Sequence, residues 1–354
     1  MDRYAQFAMF LVFALTMSLL AGYYAMFRVF GIFCLGTGLQ FWLAVVVAAL
    51  LFIAGMGLSA ISDNPALRPL NIALGVWTGF YLILIFLLIF HDILGLFVRW
   101  PDGRMAGYAL FAVAVVLAAA GAANARLVRR RVVKVPGRNL QRPVRIVQLS
   151  DLHLGPVNPV GYLERLVERA NSENPDLVLI TGDFIDGRLS DEMFAPLNGV
   201  KAPAYFVPGN HEEYVGMDEF IAHLSRTKAV PLCQRKVDLG NIVLAGIDFD
   251  WSTRGLDEMV SKVAPADGKY SILMSHGPPA LDAARKAGFD LTLSGHTHGG
   301  QFWPFTMFGR LFVRYRAGLY ERDGKHLFVT TGTGTWGPPL RLGTNSEMAV
   351  IDIG

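Results

Sequence analysis

The sequence contains little cysteine and little net charge. Only two cysteines, Cys34 and Cys233, occur in 354 residues, and they lie far apart. Their number and spacing exclude a disulfide framework and a Cys-x-x-Cys metal site, and they fit a protein of a reducing compartment. The net charge is only +3. Global charge therefore gives no indication of nucleic-acid binding, and we expect no nucleic-acid partner.

Apolar residues, by contrast, are abundant. They make up 53% of the chain, and the mean hydropathy is +0.38. The excess lies in the first third, in four apolar stretches over roughly 4–27, 41–61, 71–98 and 106–127. About 20 helical residues cross a hydrocarbon core, so each stretch is long enough to span a membrane. We predict a transmembrane domain of about four helices over residues 1–128.

A run of basic residues follows the last apolar stretch, in the segment RLVRRRVVKVPGR at 126–138. Positive charge favours the cytoplasmic side, so four spans place both termini in the cytoplasm. We predict a multi-pass protein of the inner membrane with a basic linker over 129–143 and a cytoplasmic C-terminal domain. A surface for anionic lipid is a second interpretation of the same run, and the two are compatible.

Residues 144–354 alternate between apolar strand-like runs and helix-like segments. VRIVQLS, DLVLITG and AYFVPGN are typical of strands, whereas VGYLERLVERANS places its apolar residues at helical spacing. Near-continuous apolar strands with helices between them predict an α/β core covered on both faces. We predict that 144–354 form one domain.

Five of the predicted strands are followed directly by side chains that bind metals. In chain order these are Asp151 and His153, Asp183, Asn210 and His211, His276, and His296 and His298. Open α/β sheets build their sites at the carboxyl ends of strands. The residues of the first and last pairs are two apart, which in an extended chain points both to one side. One such signal is weak, but five in succession indicate a site.

The donor types suggest the ions. Imidazole, carboxylate and amide oxygen suit manganese, iron or zinc, without the thiolates of structural zinc sites. Seven ligands exceed what one tetrahedral ion uses, but they suffice for two ions if one carboxylate bridges. Two ions about 3.5–4 Å apart serve in-line displacement at phosphorus. We expect two divalent ions, with Mn²⁺ as the first choice and Zn²⁺ or Fe²⁺ as alternatives.

The order of these motifs resembles the calcineurin-like metallophosphoesterase superfamily and matches all five of its motifs within 144–354. SGHTHGGQ, GLY at 318–320 and GTGTWGPPLRLG at 332–343 further resemble its bacterial membrane-associated branch. That branch includes phosphodiesterases of the YkuE and YaeI type and LpxG, a UDP-2,3-diacylglucosamine pyrophosphatase. The resemblance implies a four-layer α/β/β/α metallophosphoesterase sandwich, here preceded by the bundle of about four transmembrane helices.

The resemblance also implies roles for the residues. One metal is then held by Asp151, His153, Asp183 and His298, and the other by Asp183, Asn210, His276 and His296. A hydroxide shared by the metals is expected to attack phosphorus. His211 is not a ligand in this assignment. It approaches the scissile phosphate and either protonates the leaving oxygen or holds the developing charge.

Other polar residues have open interpretations. Arg341 and Arg310 are candidates for contact with the substrate phosphate, because guanidinium pairs with phosphate oxygens, and solvated surface arginines are the alternative. Asp186 either orients a metal ligand or forms a turn. Glu212 is a candidate for orienting the adjacent histidine. The segment GQFWPFTMFGRLF, 300–312, either forms an acyl slot or bilayer contact, or packs as an ordinary loop.

The predicted function is hydrolysis of phosphodiester or pyrophosphate bonds by a membrane-anchored dimetal phosphoesterase, on a lipid-linked substrate such as UDP-2,3-diacylglucosamine. The expected partners are membrane lipids and a phosphorylated small-molecule or lipid-linked substrate. One alternative is a nucleotide or general phosphodiesterase with the membrane part only an anchor. Another is a membrane sensor or transporter with a regulatory phosphoesterase domain. Ionisable residues within a membrane span, here His91 and Asp92, would favour a transporter or sensor. Both, however, lie near enough to the end of a span to reach the interface.

Overall fold

The computed structural model describes residues 3–57, 64–98, 103–138, 140–250, 255–265, 268–278 and 280–354. Within these ranges the side chains of residues 3–11, 65, 103 and 310 are outside the description. All statements below concern the described residues. The connections of the membrane domain around residues 58–63 and 99–102 lie outside them.

The N-terminal third forms four long apolar helices. These are α1 (Arg3–Ile32), α2 (Leu39–Gly57), α3 (Arg68–Gly95) and α4 (Gly103–Ala125). Each contains a segment long and apolar enough to cross a membrane. Large apolar side chains such as Leu39 and Trp42 are exposed on their surface, as expected for helices solvated by lipid. The prediction of about four apolar helices that span a membrane is therefore confirmed at the level of length and composition.

Small residues allow the helices to pack closely. A Cβ atom at Gly55 of α2 would lie 2.1 Å from the Thr78 hydroxyl of α3 and 2.6 Å from the Leu74 carbonyl oxygen. No side chain fits in that space. Without a hydrophobic driving force between helices in lipid, such close backbone approach is what holds membrane helices together.

The charged residues of α1 and α3 form one cluster. Arg28 lies 2.6 Å from the Asp92 carboxylate, and the Tyr24 hydroxyl donates a 2.8 Å hydrogen bond to the same group. His91 Nδ1 lies 3.2 Å from both Arg28 and Asp92. Pairing of opposite charges offsets much of the cost of placing them near lipid. The cluster therefore joins two helices and accounts for His91 and Asp92 by structure alone.

The C-terminal part contains two six-stranded sheets. The first has the order β1-β12-β2-β3-β4-β5 and the second β10-β11-β9-β8-β7-β6. The strands are β1 (Arg129–Val135), β2 (Val144–Leu149), β3 (Leu177–Thr181), β4 (Ala204–Val207), β5 (Ala229–Pro231), β6 (Arg235–Asp238), β7 (Ile242–Gly246), β8 (Tyr270–Met274), β9 (Leu291–Ser294), β10 (Gly318–Arg322), β11 (Lys325–Val329) and β12 (Glu347–Ile353).

Helices cover the outer faces of both sheets, as the apolar strands predict. The helices of this part are α5 (Val160–Ser172), α6 (Asp191–Phe194), α7 (Asn210–Val215), α8 (Met217–Leu224), α9 (Leu256–Lys262), α10 (Ala280–Lys286) and α11 (Phe305–Phe312). Of these, α5, α6 and α8 cover the first sheet, and α9 and α10 cover the second. Successive residues of a strand face opposite sides. Thus Val147 packs under the helices of the first sheet, whereas Ile146 packs against the second sheet. The predicted α/β/β/α sandwich is confirmed.

One boundary differs from the prediction. Arg129–Val135, expected as the start of a linker, is the edge strand β1, which pairs in parallel with β12. Side chains alternate between the two faces of β1. Val133 and Val135 are buried in the core between the sheets, and Arg130 on the other face pairs with Glu173 at 2.7 Å. Arg130 and Lys134 lie on the solvent face of this strand, whereas Arg131 is on the face of Val133 and pairs with Glu347 at 3.2 Å. We propose that the C-terminal domain begins near residue 129.

A loop of the sandwich rests directly on the membrane helices. A Cβ atom at Gly75 of α3 would lie 2.7 Å from Pro339, and one at Gly79 would lie 2.0 Å from Leu340. From α4, the Gly121 carbonyl accepts a 2.9 Å hydrogen bond from the Arg341 backbone, and the Asn124 amide donates to the Arg341 carbonyl at 3.0 Å. The two parts are therefore packed together, not merely tethered.

Candidate dimetal site

The candidate site lies where strands of the two facing sheets end. Ser150–His153 follow β2, Asp183 lies just beyond β3, and Gly209 follows β4. From the second sheet, His276 follows β8 and His296 and His298 follow β9. Because both sheets present their carboxyl ends at this edge, residues far apart in sequence converge there. All seven predicted ligands belong to this one region.

The convergence depends on unusual backbone. Asp151, His153, Asp183, His296 and His298 all have positive φ, between 47° and 70°. Such conformations are uncommon for residues with a side chain, and they cluster at functional sites. Asp151 and His153 still reach one ligand group, whereas His296 and His298 turn toward different groups, so the expectation that a pair points to one side is wrong for the second pair only. His298 faces Asp151, with 3.3 Å between Nε2 and Oδ1, whereas His296 Nδ1 faces His276 Nε2 at 3.1 Å.

Two groups of predicted ligands result, beside a third group of His153, Asp186 and His211. Asp151, His153 and His298 form the first group, and Asp183, His276 and His296 form the second, each with donor atoms within 4.8 Å of one another. Asp183 Oδ2 lies between the groups, 3.2 Å from His276 Nε2 and 3.9 Å from His153 Nε2. This placement suits the carboxylate that the sequence predicts as the bridge.

Unsatisfied atoms test whether metal ions fit. Asp151 Oδ2 and Asn210 Oδ1 are buried without a hydrogen-bond partner. An orphaned buried oxygen is costly and requires an explanation. In addition, the ring nitrogens His153 Nε2 and His298 Nε2 face each other at 3.1 Å. Cations placed among these donors would satisfy both oxygens and would replace the proton shared by the two imidazoles, so the residues fit a pair of divalent ions.

Asp186 links the candidate metal site to the candidate catalytic histidine. Its Oδ1 accepts hydrogen bonds of 2.7 Å from His153 Nδ1 and from His211 Nδ1. Burial raises the pKa of Asp186, but the two imidazoles outweigh it and lower the pKa to about 2. The charged carboxylate thereby orients both rings with Nε2 toward the site. These contacts therefore support the interpretation that Asp186 orients a metal ligand, rather than only forming a turn.

His211 lies at the rim of the site. Its Nε2 is 3.9 Å from Asp183 Oδ2, and its backbone N–H donates a 3.1 Å hydrogen bond to Asp183 Oδ1. Its side chain is partly exposed, unlike His153 and His276, which are buried. A substrate therefore reaches this imidazole more readily than the buried ones.

Glu212 has a role that differs from the expected one. Its fully buried carboxylate accepts hydrogen bonds from the backbone amides of Asp183, Phe184 and Gly209, at 3.0, 2.7 and 2.6 Å. It does not orient His211. It ties the ends of β3 and β4 together behind the site. At the start of α7, Glu212 accepts from the Gly209 amide three residues earlier, which is the glutamate half of a capping box.

Arg341 lies beside the site rather than at its surface. Its side chain is fully buried, and the guanidinium donates to the carbonyl oxygens of His298 and Gly334 at 3.0 and 2.5 Å. These contacts favour a structural role beside His298 over contact with substrate phosphate, which stays a prediction. Burial, His153 and Arg341 together hold the pKa of His298 well below its usual range. The neutral imidazole is the form that binds metals. The Arg310 side chain lies outside the described residues.

Arg341 couples the membrane helices to the site. Its backbone is held by Gly121 and Asn124 of α4, and its side chain holds His298. Arg341→Lys and Asn124→Ala are each expected to weaken metal binding about 10–100-fold, as loss of groups that orient metal ligands does. Calorimetric titration of the full-length protein with Mn²⁺ measures this. Arg285→Lys, on the outer helix α10, is the control and should have no effect. Unchanged Mn²⁺ affinity in both variants would contradict the coupling.

Proton release should accompany metal binding. Burial lowers the pKa of the His153 imidazole, but Asp186 and the other nearby carboxylates outweigh it and raise the pKa to about 9. The pKa of His276 is raised to about 9 in the same way beside Asp183. The metal-free site therefore carries protons on both rings at pH 7, and metal must displace about two of them.

Calorimetry in buffers of different ionisation enthalpy measures this release, and affinity should rise with pH up to about 9. Both pKa values are raised on folding. Their contribution to the stability of the metal-free protein is therefore complete below about pH 6.5 and lost as pH rises through about 9. A pH-independent metal affinity between pH 6.5 and 9 would refute these protonation states.

Comparison with known proteins agrees with this geometry. Residues 144–300 match the family described as calcineurin-like phosphoesterase. A metallophosphoesterase of Aquifex aeolicus is 34% identical over 226 residues, covering 59% of this chain and 85% of that protein. One of Campylobacter jejuni is 36% identical over 231 residues, covering 62% and 61%. A Danio rerio transmembrane protein with metallophosphoesterase domain is 34% identical over 266 residues, covering 68% and 60%.

The fold and the paired ligand groups place the C-terminal domain in the class of metal-dependent phosphoric ester hydrolases. Within that class, the chain belongs to the calcineurin-like metallophosphoesterase family, whose members use a dimetal centre. The match spans about three fifths of the length of the Campylobacter and Helicobacter relatives. Like the Danio rerio relative, this chain joins the domain to helices that suit a membrane.

Proposed function

We propose that the protein is a membrane-anchored phosphoesterase that hydrolyses phosphodiester or pyrophosphate bonds of a lipid-linked substrate, such as UDP-2,3-diacylglucosamine. It would then belong to the bacterial branch that includes enzymes of the YkuE, YaeI and LpxG type. The observation that carries the chemistry is the pair of buried ligand groups that share Asp183. The observation that favours a lipid-linked substrate is the packing of loop 338–345 on the membrane helices.

The proposed ligand sets follow the two groups. Asp151, His153, Asp183 and His298 would hold one ion, and Asp183, Asn210, His276 and His296 the other, with Mn²⁺ as the preferred ion. When bound, such ions provide Lewis-acid stabilisation of phosphoryl oxygens and lower the pKa of water. The chain's contribution is to keep seven donors converged and dehydrated before the substrate arrives.

We assign proton transfer to His211. Its Nδ1 donates to Asp186, so Nε2 is the nitrogen that presents a proton to the site. That Nε2 proton faces the site and is available to the leaving oxygen. Asp186 thus fixes the orientation of the acid without touching the substrate.

The membrane orientation is proposed from the charges. Arg126, Arg129 and Arg130 follow α4 directly, so the sandwich is placed on the cytoplasmic side of the inner membrane. The α1–α2 connection then faces the opposite side. Cys34 in this connection is exposed.

A membrane-impermeant maleimide applied to intact cells is therefore expected to label Cys34 and not Cys233. Mass spectrometry of the labelled protein distinguishes the two thiols, and Cys34→Ser is the control. Labelling of Cys34 only after the cells are permeabilised would reverse the proposed orientation.

Hydrolysis of UDP-2,3-diacylglucosamine by purified full-length protein with Mn²⁺ tests the function, with Asp183→Ala as the control. Release of UMP by the wild type alone supports the proposal. Cleavage of bis(p-nitrophenyl) phosphate without UMP release would favour a general phosphodiesterase whose helices only anchor it. Cleavage of neither substrate by protein that contains two metal ions would refute a phosphodiesterase or pyrophosphatase.

A further inference from the structure

The helix that follows the metal motif has an exposed apolar surface. On α11, Phe305–Phe312, the side chains of Leu311 and Phe312 are 75% and 83% exposed, and Met307 is 52% exposed. A water-soluble face rarely shows contiguous apolar groups of this size. Something other than water is therefore expected to cover this helix.

The same helix lies beside the membrane-spanning helix α3. The Phe86 ring of α3 is 6.0 Å from that of Phe305 and 5.7 Å from that of Phe308, between centroids. Gly75, which contacts Pro339, lies eleven residues earlier on α3. At 1.5 Å per residue, the Phe86 contact is roughly 16 Å further along the helix. A bilayer that surrounds α3 at Phe86 would also surround α11.

Neighbouring side chains continue this contact. Phe302 is buried in one apolar cluster with Ile83 and Leu84 of α3, and Trp303 packs against that cluster. The chain thus passes from the metal motif at His298 into the surface of the helical bundle within a few residues. The apolar surface of α11 is continuous with that of α3, and lipid is the solvent of α3.

A groove connects this helix to the candidate metal site. Its volume is about 560 Å³, and its lining includes His296 and Thr297 of the metal motif, Asp282 of α10, and Phe312 and Arg314 at the end of α11. A predicted metal ligand and the exposed end of α11 therefore line the same groove. Arg314 pairs with Asp282 at 3.5 Å but remains largely exposed, and guanidinium groups bind phosphate oxygens.

We propose that α11 is inserted in the bilayer beside α3, and that the groove between α11 and His296 admits the phosphate end of an acylated substrate laterally from the lipid. The acyl chains remain beside Phe312 and Leu311, among the lipids, while the phosphate passes Arg314 to reach the site. The entry route rests on the proposed function, whereas the insertion of α11 does not. Amphipathic segments with Phe and Leu on one face bind to membranes through that apolar face.

Depth-dependent quenching tests the insertion. Leu311→Cys, in a Cys34→Ser, Cys233→Ser background, is labelled with an environment-sensitive fluorophore and placed in vesicles of phosphatidylcholine and phosphatidylglycerol. We expect strong quenching by lipids that carry a spin label on the acyl chain. Val230→Cys, an exposed apolar position on the edge strand β5, is the matched control and should not be quenched. Equal, weak quenching at both positions would overturn the insertion.

Activity on two substrates tests the entry route. Leu311→Glu is expected to reduce hydrolysis of UDP-2,3-diacylglucosamine in vesicles at least tenfold more than hydrolysis of water-soluble bis(p-nitrophenyl) phosphate. Val230→Glu should change neither rate. Equal loss on both substrates would overturn lateral entry. If the wild type cleaves only the soluble ester, the lipid substrate and its entry route are overturned together, and the quenching result still decides the position of α11.

Discussion

Replacing Asp183 by alanine is expected to abolish metal binding and reduce phosphodiester hydrolysis at least about 10³-fold. Asp183 lies between the two ligand groups, so its loss removes a donor from both. Stabilisation of phosphoryl charge by bound ions is worth several kcal/mol, and about 1.4 kcal/mol corresponds to each tenfold in rate. Metal content by plasma mass spectrometry and turnover of bis(p-nitrophenyl) phosphate measure the two losses.

The control for this substitution is Asp257→Ala. Asp257 pairs with Lys286 on the exposed surface of α9 and α10, at 2.7 Å, and exposed ion pairs contribute little. It should retain wild-type metal content and activity. Circular dichroism separates unfolding from loss of metal. A folded Asp183→Ala protein that keeps two ions would contradict the bridging assignment.

Replacing His211 by alanine is expected to reduce turnover about 10²–10⁴-fold while sparing the metal content. His211 donates through Nδ1 to Asp186 and presents Nε2 at the rim, where a leaving oxygen would need a proton. The loss should depend on the leaving group. An ester with an alkoxide leaving group requires protonation and should lose more activity than one with p-nitrophenolate.

His223→Ala provides the matched control, because His223 pairs with Asp191 on the outer helix layer and makes no contact with the ligand groups. Its activity should be that of the wild type. An equal loss for both leaving groups in His211→Ala would assign His211 to holding charge on the phosphoryl group. Unchanged turnover would remove it from the mechanism altogether.

The contact between α4 and Arg341 gives the membrane helices a role beyond anchoring. Asn124 donates to the Arg341 and Thr344 carbonyls at 3.0 Å, and Arg341 in turn donates to the His298 carbonyl. A separation of the sandwich from the bundle would therefore release a candidate metal ligand. This arrangement predicts that the isolated C-terminal domain binds metal more weakly than the full-length chain.

Several features are determined by the sequence alone because they are local. Hydropathy over about 20 residues identifies the four membrane helices, since bilayer thickness fixes their length. Apolar runs identify the strands, and the residues directly after them are the candidate ligands, because parallel strands converge at their carboxyl ends. Asp151, Asp183 and His276 are identified in this way without knowledge of any contact.

The tertiary structure decided everything that depends on contacts between distant segments. Spacing could not separate His296 from His298, because positive φ at both residues turns them toward different groups. Arg341 resembled a phosphate ligand by residue type, but the fold buries it against His298. The basic run at 129–135 became a strand because β12, more than two hundred residues later, pairs with it. Likewise, the contact with Phe86 of α3 places α11 beside the membrane helices, which its sequence alone does not show. Burial of a side chain and pairing of strands depend on the whole fold and not on a local sequence pattern.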